Sequence, residues 1–217
     1  MTGDLLRLMS WLSPVFPTGG FAYSAGLEQA AAGGTVRDKD GLRDWLGGLL
    51  GHGSPWNDAV LLAESHRAFA DGTRLAAVAE LAEALAGSAE RHTEAMRQGR
   101  SFLDAARNWF APDDLPAAEM PLAVAVGAAA GRAAIDGQTV LAAFLHAFVS
   151  NQLQAAIRLS VTGQQGAASI LASLEPEIAG TARRAASSTL DDLGAIAFAA
   201  EIASLNHETL QPRLFLS

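Results

Sequence analysis

The sequence predicts an all-α fold, and three observations support that prediction. Hydrophobic residues make up 50 % of the 217 residues but aromatic residues only 6 %, so the apolar content is mostly alanine and leucine, which favour packed helices over sheets. Apolar residues recur at helical spacing almost throughout, and no segment keeps the period-two alternation of a half-buried strand. The length suits one large domain, and we expect a single compact domain of about ten helices over residues 1–217.

Proline and glycine set the limits of the first two helices. Leucines at helical spacing predict a helix over 5–12. It ends at Ser13-Pro14, because a residue before proline is pushed out of the helical region. The second helix is predicted to begin after Gly20 and to end at Gly33-Gly34.

Apolar stripes and caps mark the next four helices. The leucines and tryptophan within 42–50 form the stripe of the third helix, and Asp38 and Asp40 are candidates for its cap. Ser54-Pro55 is a good start for the fourth, because a cap oxygen precedes a proline at the first helical position. Gly87-Ser88 is either a break or a weak point in one long helix. The fourth, fifth and sixth helices are predicted over 54–70, 73–85 and 88–110.

The segment APDDLP, residues 111–116, is the best loop in the chain. It divides the helical domain into two halves without the length of a true linker. The helices after it are predicted over 121–130, 140–160, 166–174, 178–187 and 193–206.

The composition excludes several classes of function. A net charge of -8, with Lys39 the only lysine, argues against nucleic-acid binding. The absence of cysteine excludes disulfides, thiolate zinc sites and a cysteine nucleophile. Asp4 and Arg7 interrupt the first leucines, so no signal peptide is expected, and the apolar stretch 121–131 is about half the length of a membrane span. We expect a soluble protein that fits the cytoplasm and does not enter a membrane.

Catalytic and metal-binding motifs are missing from the sequence. It contains no phosphate-binding loop and no dinucleotide fingerprint, and AYSAG lacks both the first glycine and the preceding strand of a nucleophile elbow. None of the five histidines forms an H-x-x-x-H or H-E-x-x-H pair. We therefore expect no catalytic residue, no resident metal site and no firmly bound cofactor. The histidines are His52, His66, His92, His146 and His207.

A polar stripe runs along the otherwise apolar helix predicted over 140–160. Its members recur at intervals of four, with one asparagine alongside. The stripe is either a plain solvent face or part of a subunit interface or polar passage, where amide side chains need partners. Two such helices could pair their apolar faces across a two-fold axis. The stripe consists of His146, Ser150, Asn151, Gln154 and Arg158.

Three stretches together resemble one known family. The opening LLRLMSWLSPVFPTGGFAYSAGLE (5–28), the central SNQLQAAIRL followed by GQQ (150–165) and the final IASLNHETLQPRLFLS (202–217) are similar in order and distance to the patterns of the urease accessory protein UreF family. The resemblance implies a UreF-like helical bundle that is dimeric and not an enzyme. It further implies a scaffold that brings a nickel-carrying GTPase of the UreG type and a second accessory protein of the UreD or UreH type to apo-urease. Nickel would then be handled by the complex during GTP-dependent maturation.

The resemblance also implies where partners bind. It makes segments 1–20 and 207–217 docking elements and gives these candidate contacts: Tyr23, Ser24, Glu28, His207, Glu208, Arg213, Leu214 and Phe215. Tyr23, Glu28 and their neighbours are candidates for the GTPase. At 210–212 and at Leu216 the chain departs from the family pattern, so we expect a less basic tail contact.

Alternatives remain open for these residues. We expect the short apolar tail to order only on binding a partner; the alternative is that it packs on its own body. Tyr23 could instead bury its ring and bond a backbone carbonyl, and Glu28 could pair with an arginine. Two other functions compete with scaffolding: an independent helical ligand-binding protein, and a GTPase regulator that supplies an arginine in trans from Arg132, Arg158 or Arg213. Direct nickel binding is the weakest alternative.

Overall fold

The computed structural model describes residues 2–217; residue 1, the first of the predicted docking segment 1–20, lies outside that range. Within it the chain forms ten α-helices and three short 3-10 segments, and no strand. The predicted all-α class is confirmed. The helices are α1 (Thr2–Trp11), α2 (Leu27–Ala32), α3 (Lys39–His52), α4 (Ser54–Ala68), α5 (Gly72–Ala84), α6 (Ala89–Ala106), α7 (Leu122–Arg132), α8 (Gly137–Arg158), α9 (Gln164–Ala186) and α10 (Phe198–His207).

Several helix starts follow the capping rules. The Asp38 carboxylate accepts hydrogen bonds from the backbone N–H groups of Asp40 and Gly41 at the start of α3. Ser88 accepts from Arg91 N in the same way, so Gly87-Ser88 is a true break before α6. Ser54 is the first residue of α4 rather than its cap.

Several predicted helix boundaries differ from the structure, and the last helix, predicted over 193–206, is Phe198–His207. Helix α9 continues through Pro176, where the sequence predicts two helices. Pro176 lies on the exposed side, so the carbonyl that loses its intrahelical partner can bond water, while Leu174 and Ile178 stay buried against the core. The predicted second helix starts only at Leu27, because a 3-10 turn and left-handed residues at Gly19 and Gly26 form the corner before it.

The core is centred on α4 and α7, which pack closely along their lengths. Every residue from Ala123 to Gly131 in α7 is buried. A Cβ on Gly127 would lie 2.4 Å from the Leu62 carbonyl oxygen, so glycine is what allows this approach. On the other side of α7, a Cβ on Gly99 of α6 would lie 1.9 Å from the Met120 carbonyl oxygen.

Helix α8 packs along α9 and also contacts α4. By length and composition it is the one described helix that could cross a membrane, but half of its most apolar stretch is buried inside the protein. This is the pattern of a core helix, and such a helix is weak evidence for a membrane span.

Candidate functional site

The last residues of the chain lie beside the corner that precedes α2. Leu216 N donates to the Ala22 carbonyl oxygen at 2.8 Å, and Ser24 N donates to the main-chain oxygen of Ser217 at 2.8 Å. The Ser24 hydroxyl donates to the same Ser217 oxygen. We call this region the terminal junction and define it as residues 21–28 and 207–217 with three side chains from the body of the protein. Those side chains are Glu90 and Glu94 of α6 and Arg158 of α8.

Glu28 is the main acceptor of the terminal junction. Its Oε1 accepts from Leu214 N at 2.7 Å and its Oε2 from Phe215 N at 3.0 Å. The Nε2 atom of His207 lies 3.0 Å from Oε2. The Glu28 side chain is buried, so these charge-assisted hydrogen bonds replace its lost hydration. Glu28 thereby ties α2 to both the end of α10 and the tail.

His207 is completely buried between two carboxylates. Its Nε2 faces Glu28, and its Nδ1 lies 2.7 Å from Oε2 of Glu90. A neutral imidazole has a single N–H, so both contacts are hydrogen bonds only when the group of three carries one additional proton. Arg213 forms an ion pair with the other oxygen of Glu90. Glu90 therefore contacts both His207 and Arg213.

Phe215 and Ser217 close the other side of the terminal junction. The Phe215 ring is buried and lies under the Arg158 guanidinium in a cation–π contact. The central carbon of the guanidinium is 4.3 Å from the centroid of the ring. Arg158 Nη1 also donates to the Phe21 carbonyl oxygen at 2.7 Å. The Ser217 hydroxyl donates to Glu94 at 2.9 Å. The tail is thus packed on its own chain, which corrects the expectation that it orders only on a partner.

The remaining tail and corner candidates take different positions. Glu208 accepts from Ala89 N at 3.0 Å at the start of α6. The Tyr23 ring is buried, but its hydroxyl makes no hydrogen bond within residues 2–217. Glu28 pairs with His207 rather than with an arginine. The Leu214 side chain points outward and is 64 % exposed. The partner-binding role of all these residues stays a prediction.

Several apolar side chains around the chain ends are at least half exposed. Helix α10 presents Phe198, Ile202 and Leu205 at spacings of four and three, which place them on one face. Leu214 and Leu216 extend outward from the tail that follows it. Exposed apolar side chains grouped in this way mark surfaces that contact other molecules. Further members on α1 and the corner are Leu5, Leu6, Met9 and Phe21.

The polar stripe of α8 is not one uniform surface. His146 and Gln154 are exposed, and Ser150 is half-buried. Asn151 lines an internal cavity instead, and Arg158 belongs to the terminal junction. The stripe therefore has an outer part available to a second chain and an inner part already used within this one.

A largely buried charged cluster lies between α4 and α6, and no sequence motif marks it. Arg91 lies 2.8 Å from Asp58 and 3.1 Å from Glu94. Burial raises the pKa of the Asp58 carboxyl, and the attraction of Arg91 opposes this effect. The only signal in the sequence is the spacing of four between Glu90, Glu94 and Gln98, which is equally typical of a solvent face.

The structure also bears on two alternatives from the sequence, metal binding by this chain and donation of an arginine to a GTPase. In residues 2–217 no group of three or more histidine or acidic side chains is arranged to hold a metal ion. His66, for example, contacts the Ile135 carbonyl oxygen. Each arginine considered as a finger has partners within the chain: Arg132 pairs with Asp114, and Arg158 and Arg213 belong to the terminal junction.

Comparison with known proteins gives a consistent result. A family model described as UreF matches residues 36–175. A protein of Rhizobium etli named "Urease accessory protein UreF" is 57 % identical over 217 residues, covering 98 % of this chain and 96 % of the relative. Proteins of the same name from Brucella ovis (56 % identity; 100 % and 95 % covered) and Rhizobium leguminosarum bv. trifolii (55 %; 100 % of both) are similar over the same extent.

Proposed function

The chain belongs to the UreF family of urease accessory proteins and is not itself an enzyme, and from this premise we propose a scaffolding role. It brings a nickel-carrying GTPase of the UreG type and a second accessory protein of the UreD or UreH type to apo-urease. Nickel is the cargo of that complex, and its insertion depends on GTP hydrolysis by the partner. The protein acts in the cytoplasm as a homodimer.

The observation that best supports docking is how the tail is held. Buried contacts of Glu28, His207 and Phe215 fix the tail backbone, while Leu214 and Leu216 remain exposed. A surface that is ordered before binding does not lose conformational entropy at that step, so its apolar contacts contribute more of their free energy to affinity. We assign the second accessory protein to the outward side of the tail and of α10.

Point substitutions on the outward side test this assignment. Deleting 207–217 would remove buried residues as well, so a double variant, Leu214→Ser with Leu216→Ser, is the sharper change. We expect it to lose co-purification with the second accessory protein while its thermal midpoint stays close to that of the parent. Leu85→Ser, an exposed leucine at the end of α5, is the matched control and should bind normally. Normal binding by the double variant would refute the assignment.

The homodimer is assigned to the outer part of the α8 stripe. His146 and Gln154 are exposed and lie two turns apart on one face, so two copies of the helix can meet there. Placing glutamates at both positions introduces like charges across a two-fold axis. We expect this variant to sediment as a monomer with unchanged helical content. A variant that remains dimeric would show that the interface lies elsewhere on the protein.

The GTPase contact is assigned to the exposed part of the corner rather than to Tyr23 or Glu28, which are buried. Phe21 is 68 % exposed and is the corner's available aromatic anchor.

The intramolecular contacts of the three candidate arginines favour scaffolding over donation of an arginine to the GTPase. Single-turnover GTP hydrolysis by the partner, measured with and without this protein, separates the two roles. If this protein accelerates GTP hydrolysis, and substitution of one of these arginines abolishes the acceleration, then the protein is a GTPase regulator rather than only a scaffold.

A further inference from the structure

A cavity lies between the end of α1, the corner before α2, and helices α6 and α8. It offers about 100 Å³, several times the roughly 10–15 Å³ that one water molecule requires. Its walls are largely aromatic and aliphatic, with Phe102, Phe144 and Phe148 among them. A site with these walls excludes most of the solvent around a small molecule.

Polar groups without partners converge on this cavity. Trp11 and Gln152 line it, and both are more than nine-tenths buried. Trp11 Nε1 and Gln152 Oε1 have no hydrogen-bond partner, which leaves one donor and one acceptor unsatisfied. Tyr23 and Asn151 also line the cavity, and their side chains form no hydrogen bond within residues 2–217. Buried polar groups in folded proteins are nearly always satisfied, so the unpaired Trp11 Nε1 and Gln152 Oε1 indicate a missing partner.

The charged groups at the cavity are already paired. Arg91 contacts both Asp58 and Glu94, and Glu94 also accepts from Gln98 Nε2 at 3.1 Å. The three charges sum to one negative charge, which disfavours an anion. The free groups are an indole N–H, a phenol and two carboxamides, all of them neutral. A neutral ligand that both donates and accepts hydrogen bonds is the chemical match.

We propose that this cavity is a binding site for a small neutral carboxamide or urea. Such a ligand is planar, its carbonyl oxygen can accept from Trp11 Nε1, and its N–H groups can donate to Gln152 Oε1. Carboxamide side chains such as Asn151 and Gln152 pair reciprocally with amide ligands, because each carries both a donor and an acceptor. Exposed Pro14 and Phe21 line the same cavity, so the ligand enters from the surface at the corner.

The indole N–H signals of the full-length protein give a direct test. The chain has four tryptophans, so a nitrogen–proton correlation spectrum shows four indole peaks, of which Trp11 alone reports from the cavity. Trp45 is an internal control, because its Nε1 is also buried without a partner but it does not line the cavity. We expect urea or acetamide, added at millimolar concentrations far below those that denature, to shift the Trp11 peak saturably and leave the Trp45 peak in place.

Matched ligands and variants decide between explanations. Acetone has the shape of urea without N–H donors, while guanidinium and acetate are charged isosteres; we expect none of them to saturate the Trp11 shift. An equal response to acetone, a tighter response to a charged isostere, or parallel shifts of Trp11 and Trp45 would overturn the proposal. Gln152→Leu should weaken urea binding about tenfold or more, whereas Gln138→Leu, at an exposed glutamine of the same helix, should not. The ligand series uses the unaltered protein, so the test holds even if a variant fails to fold.

Discussion

Replacing Glu28 by glutamine should release the tail while leaving most of the fold intact. Both oxygens of Glu28 are in use: Oε1 accepts from Leu214 N, and Oε2 accepts from Phe215 N and faces His207. Glutamine has nearly the same size, but its NH₂ group cannot accept a hydrogen bond. In either orientation of the new amide, at least one backbone N–H of the tail then faces another donor.

The cost follows from these contacts. A buried donor left without an acceptor costs about 1–3 kcal/mol, and hydrogen bonds that involve a charged group contribute about 1.5–3 kcal/mol. We therefore expect Glu28→Gln to lower the free energy of opening the tail by about 3 kcal/mol. At about 1.4 kcal/mol per factor of ten, this corresponds to roughly a hundredfold increase in the open population.

Hydrogen exchange at the Leu214 and Phe215 amides measures this opening directly. Both amides should exchange about a hundredfold faster in Glu28→Gln, while amides in α4 and α7 change much less because those helices form the core. Glu119→Gln is the control, since Glu119 is exposed and its ion pair with Arg100 contributes at most about 1 kcal/mol. Tail exchange in Glu28→Gln no faster than in the control would refute the assignment of Glu28 as the main anchor.

Three further predictions follow from packing and charge. Gly99→Ala should lower the thermal midpoint, because the new Cβ would meet the Met120 carbonyl oxygen. Gly48→Ala in α3 has open space around it and should stabilise the protein by about 0.5–1 kcal/mol. A Gly99→Ala variant more stable than Gly48→Ala would contradict this reasoning. Phe215→Ala should cost about 3–5 kcal/mol in denaturant unfolding, and a surface-like cost below about 0.5 kcal/mol would contradict its buried position. Burial alone would raise the pKa of Glu64, but hydrogen bonds from two arginines lower it. The ionised Glu64 carboxylate therefore stabilises the fold above its unfolded-state pKa, and this stabilisation is lost as pH falls through its folded-state pKa. The difference in unfolding midpoint between wild type and Glu64→Gln should accordingly close in acid.

Local rules predicted most helices of this chain, and they failed where packing outweighs them. Asp38 and Ser88 act as the caps that their residue types favour. Pro176 should end a helix by the same reasoning, but α9 continues because the buried residues on both sides of the proline hold it against the core. Propensity describes a short segment, whereas the continuation of α9 depends on contacts made far away in the sequence.

The site was only partly predictable for the same reason. The sequence singled out Glu28, His207 and Phe215 as unusual. Glu90 and Glu94 of α6, which contact His207 and Ser217, lie far from both chain ends and look like ordinary helical acids. The cavity was not visible at all. Its lining comes from α1, the corner, α4, α6, α7 and α8, and although the sequence singled out Tyr23 and Asn151, no local pattern shows that these segments meet.

Several of the residues that carry the family resemblance are buried, and this changes how variants of them should be interpreted. Ser24, Glu28 and His207 contact the tail and α6 of their own chain, so a substitution there alters partner binding by loosening the tail. Leu214 and Leu216 project outward and would alter it directly. The two classes can be separated experimentally, because the first changes tail hydrogen exchange in the free protein and the second does not. Loss of binding in both classes, with faster exchange only in the first, is the pattern expected of a docking surface held in place by the terminal junction.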